Sequence, residues 1–276
     1  MIKRILIPTD GYGLEDHVIK YVAKAFPFAE FHIISVVNTY ERGVQLTDLL
    51  YREMKKSAEK AIEHAKDILF EMGIEDVHIN IIEGLPSKMI TRYAKNHNMD
   101  LIAMRVYSRK STASAHRLGS TVKNVLKRSQ IPVLTLAHEC DKVPIKRIML
   151  LTDGTRKSKR AENFAVLFAE ALNAEIEAIY LTNNDEHHGE KILTNVSWKA
   201  EYLGVKVKKR LIPQKDFESL TQTFSNNDLV VMGIGKRFLF FCRVGHLSQF
   251  VATHSPIPVI FVRSLKERWS PRRRSR

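Results

Sequence analysis

Cysteine is nearly absent: Cys140 and Cys242 are the only two in a chain of 276 residues. Two are too few for a disulfide framework, so the expected compartment is a reducing cytoplasm. No stretch approaches the ~20 consecutive apolar residues that a membrane-spanning helix needs. The first residues run straight into a strand pattern without a signal-peptide profile, and no membrane span is expected. Zinc-spaced cysteine sets, a Walker phosphate loop and a catalytic-triad motif are missing as well. So are the His-x-Gly-His and Ser-Gly-Gly loops with which other α/β nucleotide-binding proteins form adenylates. No catalytic residue and no metal-ligand set is assigned, and the expected protein is not an enzyme.

Acid is missing from one long stretch. Residues 105–130 carry Arg105, Arg109, Lys110, Arg117, Lys123, Lys127 and Arg128 with no Asp or Glu, a local charge of +7. Residues 236–243 add Lys236, Arg237 and Arg243, and the tail from Lys266 to Arg276 holds six basic residues against Glu267. These three places sum to +15 against +14 for the whole chain, so the remaining residues are about −1. Such patches suit a polyanion held by phosphate contacts. The polar, proline-containing tail at 266–276 is expected to be disordered, with a plain solubilising role as its other reading.

What is present is a repeat. Lys3-Arg4-Ile5-Leu6-Ile7-Pro8-Thr9-Asp10-Gly11 returns 143 residues later as Lys146-Arg147-Ile148-Met149-Leu150-Leu151-Thr152-Asp153-Gly154. Asp100-Leu101-Ile102-Ala103-Met104, Gly119-Ser120 and Ile131-Pro132-Val133 return as Asp228-Leu229-Val230-Val231-Met232, Gly245-His246 and Ile257-Pro258-Val259. By then the offset has dropped to 128 and then 126, so the second copy is shorter. A period this long means duplicated domains rather than a solenoid. The expected organisation is a first domain at 1–138, a linker at 139–145, a second domain at 146–265 and the tail.

Each copy alternates strands and helices. Short apolar runs at 2–9, 31–37, 77–82, 101–106 and 132–137 read as strands, with helices between them, one of them long, at 47–72, with Gly73 as its stop. The second copy reads as strands at 147–152, 176–181, 205–212, 229–233 and 258–262, with helices at 158–172, 191–203, 217–224 and 246–254. Its second helix is the shortened one. This alternation implies two tandem, doubly wound, five-stranded parallel sheets.

Ligands of such sheets sit at the carboxyl ends of the strands. Asp10 and Asp153 end the first strand of each copy, where a carboxylate can accept from a ribose hydroxyl or a base. A helix N-cap is the competing reading, since Asp is a favoured cap and a helix follows. Gly119-Ser120 and Gly245-His246 open the fourth helix of each copy, where unpaired amides and the helix dipole suit a phosphate. His246 reads equally as a phosphate contact or a cap. His187-His188 beside Asp185 and Glu186 reads as a metal cluster or as a solvated inter-strand loop. Phe238-Leu239-Phe240-Phe241 reads as core, as a plug for an empty pocket, or as a partner surface.

The strand-end Asp10 and Asp153, the stretches Met104 to Ser120 and Met232 to His246, and the Pro-Val pair opening each last strand resemble the universal stress protein family. The resemblance covers residues 1 to 264. It implies that each sheet is of the Rossmann-like, adenine nucleotide alpha hydrolase-like type, in a non-enzymatic stress or signalling protein whose ligand is an adenine nucleotide, ATP or AMP, with Mg2+ if the triphosphate. The family's phosphate loop is Gly, two residues, Gly, nine residues, then Gly and Ser or Thr. Arg105 and Ser108 replace the first two glycines of copy one, with ten residues before Gly119-Ser120. Copy two keeps Gly233 and Gly235 with one residue between them, then nine, then Gly245 and His246. The implied sites are therefore degenerate, comprising Asp10, Val37, Gly119 and Ser120 in one copy and Asp153, Gly233, Gly235, Gly245 and His246 in the other. The resemblance also implies an intrachain pseudo-dimer paired through the last strands, Pro132 to Ala137 with Pro258 to Val262. A homodimer of whole chains is left open. The alternative function, drawn from the charge, is a nucleotide-free scaffold that binds an anionic partner (RNA, DNA or protein) through the basic loops and tail.

Overall fold

The computed structural model describes residues 2–10, 15–40, 47–107, 118–156, 158–214, 216–234 and 245–264. The first copy contains β1 (Arg4–Thr9), α1 (Asp16–Ala25), β2 (Glu30–Val37), α2 (Asp48–Glu71), β3 (Val77–Glu83), α3 (Pro86–Asn96), β4 (Leu101–Arg105), α4 (Ser120–Arg128) and β5 (Val133–Leu136). The second contains β6 (Arg147–Thr152), α5 (Lys159–Leu172), β7 (Glu175–Thr182), α6 (Glu186–Glu201), β8 (Val207–Pro213), α7 (Phe217–Ser225), β9 (Leu229–Ile234), α8 (Gly245–His254) and β10 (Val259–Arg263). The shortening is visible in α6, which has 16 residues against 24 in α2.

Local chemistry accounts for the boundaries. Thr47 caps α2 by accepting from the Leu50 amide at 3.3 Å, and Gly73, at a φ of +79° that disfavours any Cβ, turns the chain after it. Pro86 opens α3, where a missing amide costs nothing, and Asn173 in the left-handed region ends α5. One expectation is corrected here. His187 and His188 do not lie in a loop but in the first turn of α6, whose N-cap residue Asp185 accepts from Tyr180 Oη at 2.7 Å and Thr182 Oγ1 at 3.0 Å.

The ten strands form one sheet in the order β3-β2-β1-β4-β5-β10-β9-β6-β7-β8. Every pairing within a copy is parallel, and the copies meet where β5 and β10 pair antiparallel, Val133 opposite Phe261 and Thr135 opposite Val259. The two parallel sheets are thus joined through their last strands, as the family resemblance implied. Alternate strand residues feed two cores. Ile5, Ile7, Phe31, Leu134, Leu150 and Ile260 face α1, α2, α5 and α6, whereas Leu6, Ile34, Val133, Met149, Val259 and Phe261 face α3, α4, α7 and α8. Each core runs through both copies. Among the described residues no helix is long and apolar enough to cross a membrane.

The two repeated phrases of each copy are physically one device. Asp100 Oδ2 accepts from the Lys3 and Arg4 amides at 2.8 and 3.0 Å, and Asp228 Oδ2 accepts from the Lys146 and Arg147 amides at 2.9 Å each. The carboxylate ahead of the fourth strand therefore satisfies the start of the first strand beside it. Replacing either acid by Ala removes two charge-assisted hydrogen bonds, so Asp100→Ala and Asp228→Ala are each expected to cost about 1–3 kcal/mol. Urea unfolding followed by circular dichroism measures it; a change below about 0.5 kcal/mol in both variants would show that these contacts do not anchor the strands.

Candidate functional site

The strand order reverses between β1 and β4 in the first copy and between β6 and β9 in the second. Loops diverge from such a reversal and leave a crevice at the carboxyl ends of the strands. In the first copy a cavity of about 280 Å3 lies there, lined by residues that include Thr9, Asp10, Glu15, Val37, Met54, Arg105, Gly119 and Thr121. Of the residues singled out in this copy, Asp10, Val37 and Gly119 converge on the cavity, and Ser120 stands exposed at the first position of α4 beside it. Val37 keeps its side chain buried, and its carbonyl accepts from the Gly84 amide at 3.0 Å.

Arg105 ends β4 directly across the reversal from Asp10. Its Nη2 donates to Asp10 Oδ2 at 2.9 Å, and its Nε lies 3.8 Å from Glu15 Oε1. The Asp10 amide donates to Glu15 Oε1 at 3.2 Å. Glu15 is only 5% exposed, and burial, then the charge of Asp10 and a hydrogen bond with it, push its carboxyl up to about 8. Burial thus favours the protonated form of Glu15, and Arg105 stands against both carboxyl groups. Arg105 is consequently spent inside the site, its side chain 13% exposed, and does not contribute to a basic surface.

The N-cap reading of both acids is overturned. Glu15 and Ser158 occupy the N-cap positions of α1 and α5, while Asp153 Oδ1 accepts from the amide and hydroxyl of Thr155 at 3.0 and 2.7 Å, an Asx turn. Glu15 was not among the residues singled out. The signal for it lay in comparing the copies: Glu15 aligns with Ser158 at the same offset as Asp10 with Asp153, and an acid there has no counterpart.

The copies satisfy their strand ends differently. In the second, Thr152 Oγ1 lies 2.7 Å from Glu162 Oε1, and Glu162, fully buried, also lies 3.1 Å from Lys159 Nζ. Its first-copy equivalent, Thr9, has no such neighbour: among the described residues its buried Oγ1 lacks a hydrogen-bond partner at the cavity wall. Ile192 of α6 packs on the turn after β6 so closely that a Cβ on Gly154 would meet its Cδ1 at 2.2 Å. The strand-end turn of the second copy is covered by an apolar side chain.

The phosphate-loop residues fare unevenly. The Gly119 amide donates to the Val106 carbonyl at 3.0 Å, so anion binding at this end rests on the first-turn amides that follow. Gly233 is not a loop residue: it lies within β9, paired with Val262 of β10. Gly245 and His246 open α8. Gly235, Ser108 to Arg117, Lys236 to Arg243 with its phenylalanines, Cys242 and the tail lie outside the described residues. Cys140 is a free thiol.

Glu15 supplies a pH test. Its folded pKa of about 8 exceeds its ordinary value of 4.5, so the folded chain holds one proton more than the unfolded chain between those values. Stability from this group is full below pH 4.5 and is lost as pH rises to about 8, by at most about 1.4 kcal/mol per pH unit. Glu15→Gln is expected to remove that slope and to be the more stable protein at pH 8. Urea denaturation from pH 5 to 9 checks this; identical slopes in wild type and variant would contradict it.

Comparison with known proteins places this geometry. Residues 1–136 match the model of the universal stress protein family. A universal stress protein of Methanocaldococcus jannaschii is 29% identical over 143 residues, which cover 49% of this chain and 82% of that protein. Another from the same organism is 26% identical over 161 residues, covering 50% of this chain and 97% of its own length. A crystal structure of a universal stress protein from Archaeoglobus fulgidus superposes on 94% of this chain and 96% of its own with a TM-score of 0.76. At 20% identity this last likeness speaks for the fold, and it extends over both halves. Residues 1–136 thus form a universal stress protein family domain, and the second half of the chain repeats that domain's fold.

Proposed function

We propose that the protein is a non-enzymatic stress protein that responds to an adenine nucleotide, and that its working site is the crevice of the first copy. The observation that carries this reading is the cavity at the strand reversal, where the buried Thr9 hydroxyl lacks a partner beside Asp10. An orphaned hydroxyl at the wall of a largely apolar cavity is a polar group that a bound ligand can satisfy. At about 280 Å3 the cavity lies near the ~300 Å3 lower bound of ligand pockets, which suits a nucleoside with its phosphates emerging toward α4.

In this reading Val37 and its neighbours at the end of β2 pack against the base, and Asp10 accepts from ribose hydroxyls. The first turn of α4 after Gly119 faces the phosphates with amide donors. Arg105, standing where the family has a glycine, holds Asp10 through its ion pair, so the phosphates rest on the α4 amides. The second copy is assigned a supporting role, because Ile192 covers the turn after Asp153.

Calorimetric titration of nucleotide-stripped protein tests the site. ATP or AMP is expected to bind with a dissociation constant on the order of 10 µM to 1 mM, that is, about 4 to 7 kcal/mol. Asp10→Asn is expected to weaken binding by about tenfold or more, and Asp153→Asn to leave it unchanged. No heat from either nucleotide at millimolar concentration sinks the reading; weakening by Asp153→Asn and not by Asp10→Asn moves the site to the second copy.

A further inference from the structure

Far from that crevice, near the amino ends of β2 and β3, Glu30, His32 and His78 meet on the face covered by α3. Glu30 and His32 are two apart on β2 and so share a face, and His78 lies opposite His32 in the β2–β3 register. His32 Nε2 is 2.8 Å and His78 Nε2 is 3.2 Å from Glu30 Oε1, and the three atoms lie within 4.8 Å of one another. Around a tetrahedral ion with metal–ligand bonds near 2.0–2.1 Å, neighbouring donors stand about 3.3 Å apart. Exchange of the two imidazole–carboxylate contacts for metal bonds therefore needs only small movements.

The surroundings fit a ligand set. His32 Nδ1 lies 2.9 Å from Tyr93 Oη, which also accepts from Asn80 Nδ2 at 3.0 Å. This holds the buried His32 ring with Nε2 aimed at Glu30, the arrangement by which outer partners orient metal-binding imidazoles. His97 stacks on Tyr93 at 3.8 Å between ring centroids and closes that side. Arg4 Nε donates to Glu30 Oε2 at 3.0 Å, which leaves Oε1 to the histidines. The His78 side chain is 52% exposed and also lies 3.7 Å from Asp76 Oδ1, so the cluster opens to solvent on that side.

The second copy acts as an internal control. In the equivalent register, Glu175, Glu177, Lys208 and Arg210 stand where the first copy has Glu30, His32, His78 and Asn80. There the buried Glu177 has Arg210 Nη1 at 3.6 Å and Lys208 Nζ at 3.9 Å from its Oε1. One copy thus supplies its own cations at this position, and the other supplies two imidazole lone pairs and a carboxylate.

We propose that Glu30, His32 and His78 form a binding site for a divalent transition metal of the Zn2+ class. Two imidazoles and one carboxylate select such ions over Mg2+ and Ca2+, whose preference is for oxygen. The ligands come from β2 and β3 alone, so the site does not depend on the nucleotide reading.

Titration of the metal-free full chain with Zn2+, followed by calorimetry, tests it, with Co2+ absorption as a spectroscopic signature of tetrahedral nitrogen and oxygen ligation. One equivalent of Zn2+ is expected per chain, with no response to Mg2+. His78→Ala is expected to weaken binding by more than about 100-fold, and Tyr93→Phe, which removes only the outer partner, by about 10-fold. Lys208→Ala in the second copy is expected to change nothing. His78 is exposed, so an unchanged melting profile of the metal-free variant confirms that it folds. Absence of Zn2+ binding at ~100 µM, or a full equivalent retained by His78→Ala, which would point to other histidines such as His187 and His188, overturns the proposal.

Discussion

The antiparallel pairing of β5 with β10 is the contact on which the rest of the molecule depends. Each copy alone would end in an edge strand of almost wholly buried side chains, Val133 to Leu136 or Val259 to Val262, with a row of unpaired amides and carbonyls. Such an edge invites association. Pairing the two edges satisfies both and makes two five-stranded sheets into one, so that both hydrophobic cores run unbroken across the junction. Further contacts follow the join: Thr135 Oγ1 lies 3.5 Å from the Val259 carbonyl, and Tyr107 Oη donates to the Thr253 carbonyl at 2.8 Å. Because the pairing is antiparallel, the carboxyl ends of the two sets of strands point in opposite directions. The two crevices therefore lie at opposite ends of the sheet and can change independently.

They differ around one shared feature, a buried threonine that ends the first strand. A buried hydroxyl is costly unless it is paired. Thr152 meets this with Glu162 and Ser158 from its own helix, and Ile192 covers the turn beside it. Thr9 has neither partner, since Ile19 stands where the second copy has Glu162, and the acid has moved to Glu15 at the mouth of the helix. There it stands beside Asp10 and Arg105. One copy closes its strand end from within, and the other leaves a crevice whose few polar groups gather at Asp10, Glu15 and Arg105.

Much of the fold was legible because its signals are local. Apolar runs of four to eight residues, the stop at Gly73 and the helical spacing of the first-copy helices locate those elements to within a few residues of their observed bounds. The repeated Asp-Leu and Lys-Arg phrases marked the architecture without revealing that the first acid holds the second phrase's backbone. The loop reading of His187-His188 failed because Glu186 and the cap at Asp185 begin a helix inside a polar run with little apolar periodicity. Gly233, which matched the family's loop pattern, falls in the strand expected at 229–233, and the register with β10 carries β9 one residue beyond it.

The site divides along the same line. The sequence by itself determined that there are two copies, that each ends its first strand in Asp, and that the phosphate-loop glycines are partly replaced, because these are statements about neighbours in the chain. Only the tertiary structure decided that Arg105 points inward to Asp10 across 95 residues, that Glu15 is buried beside them, and that His78 stands opposite His32. Those relations depend on strand order and register, which are set by packing over the whole sheet. A charge read along the chain as surface basicity can thus turn out to be half of an ion pair at the wall of a crevice.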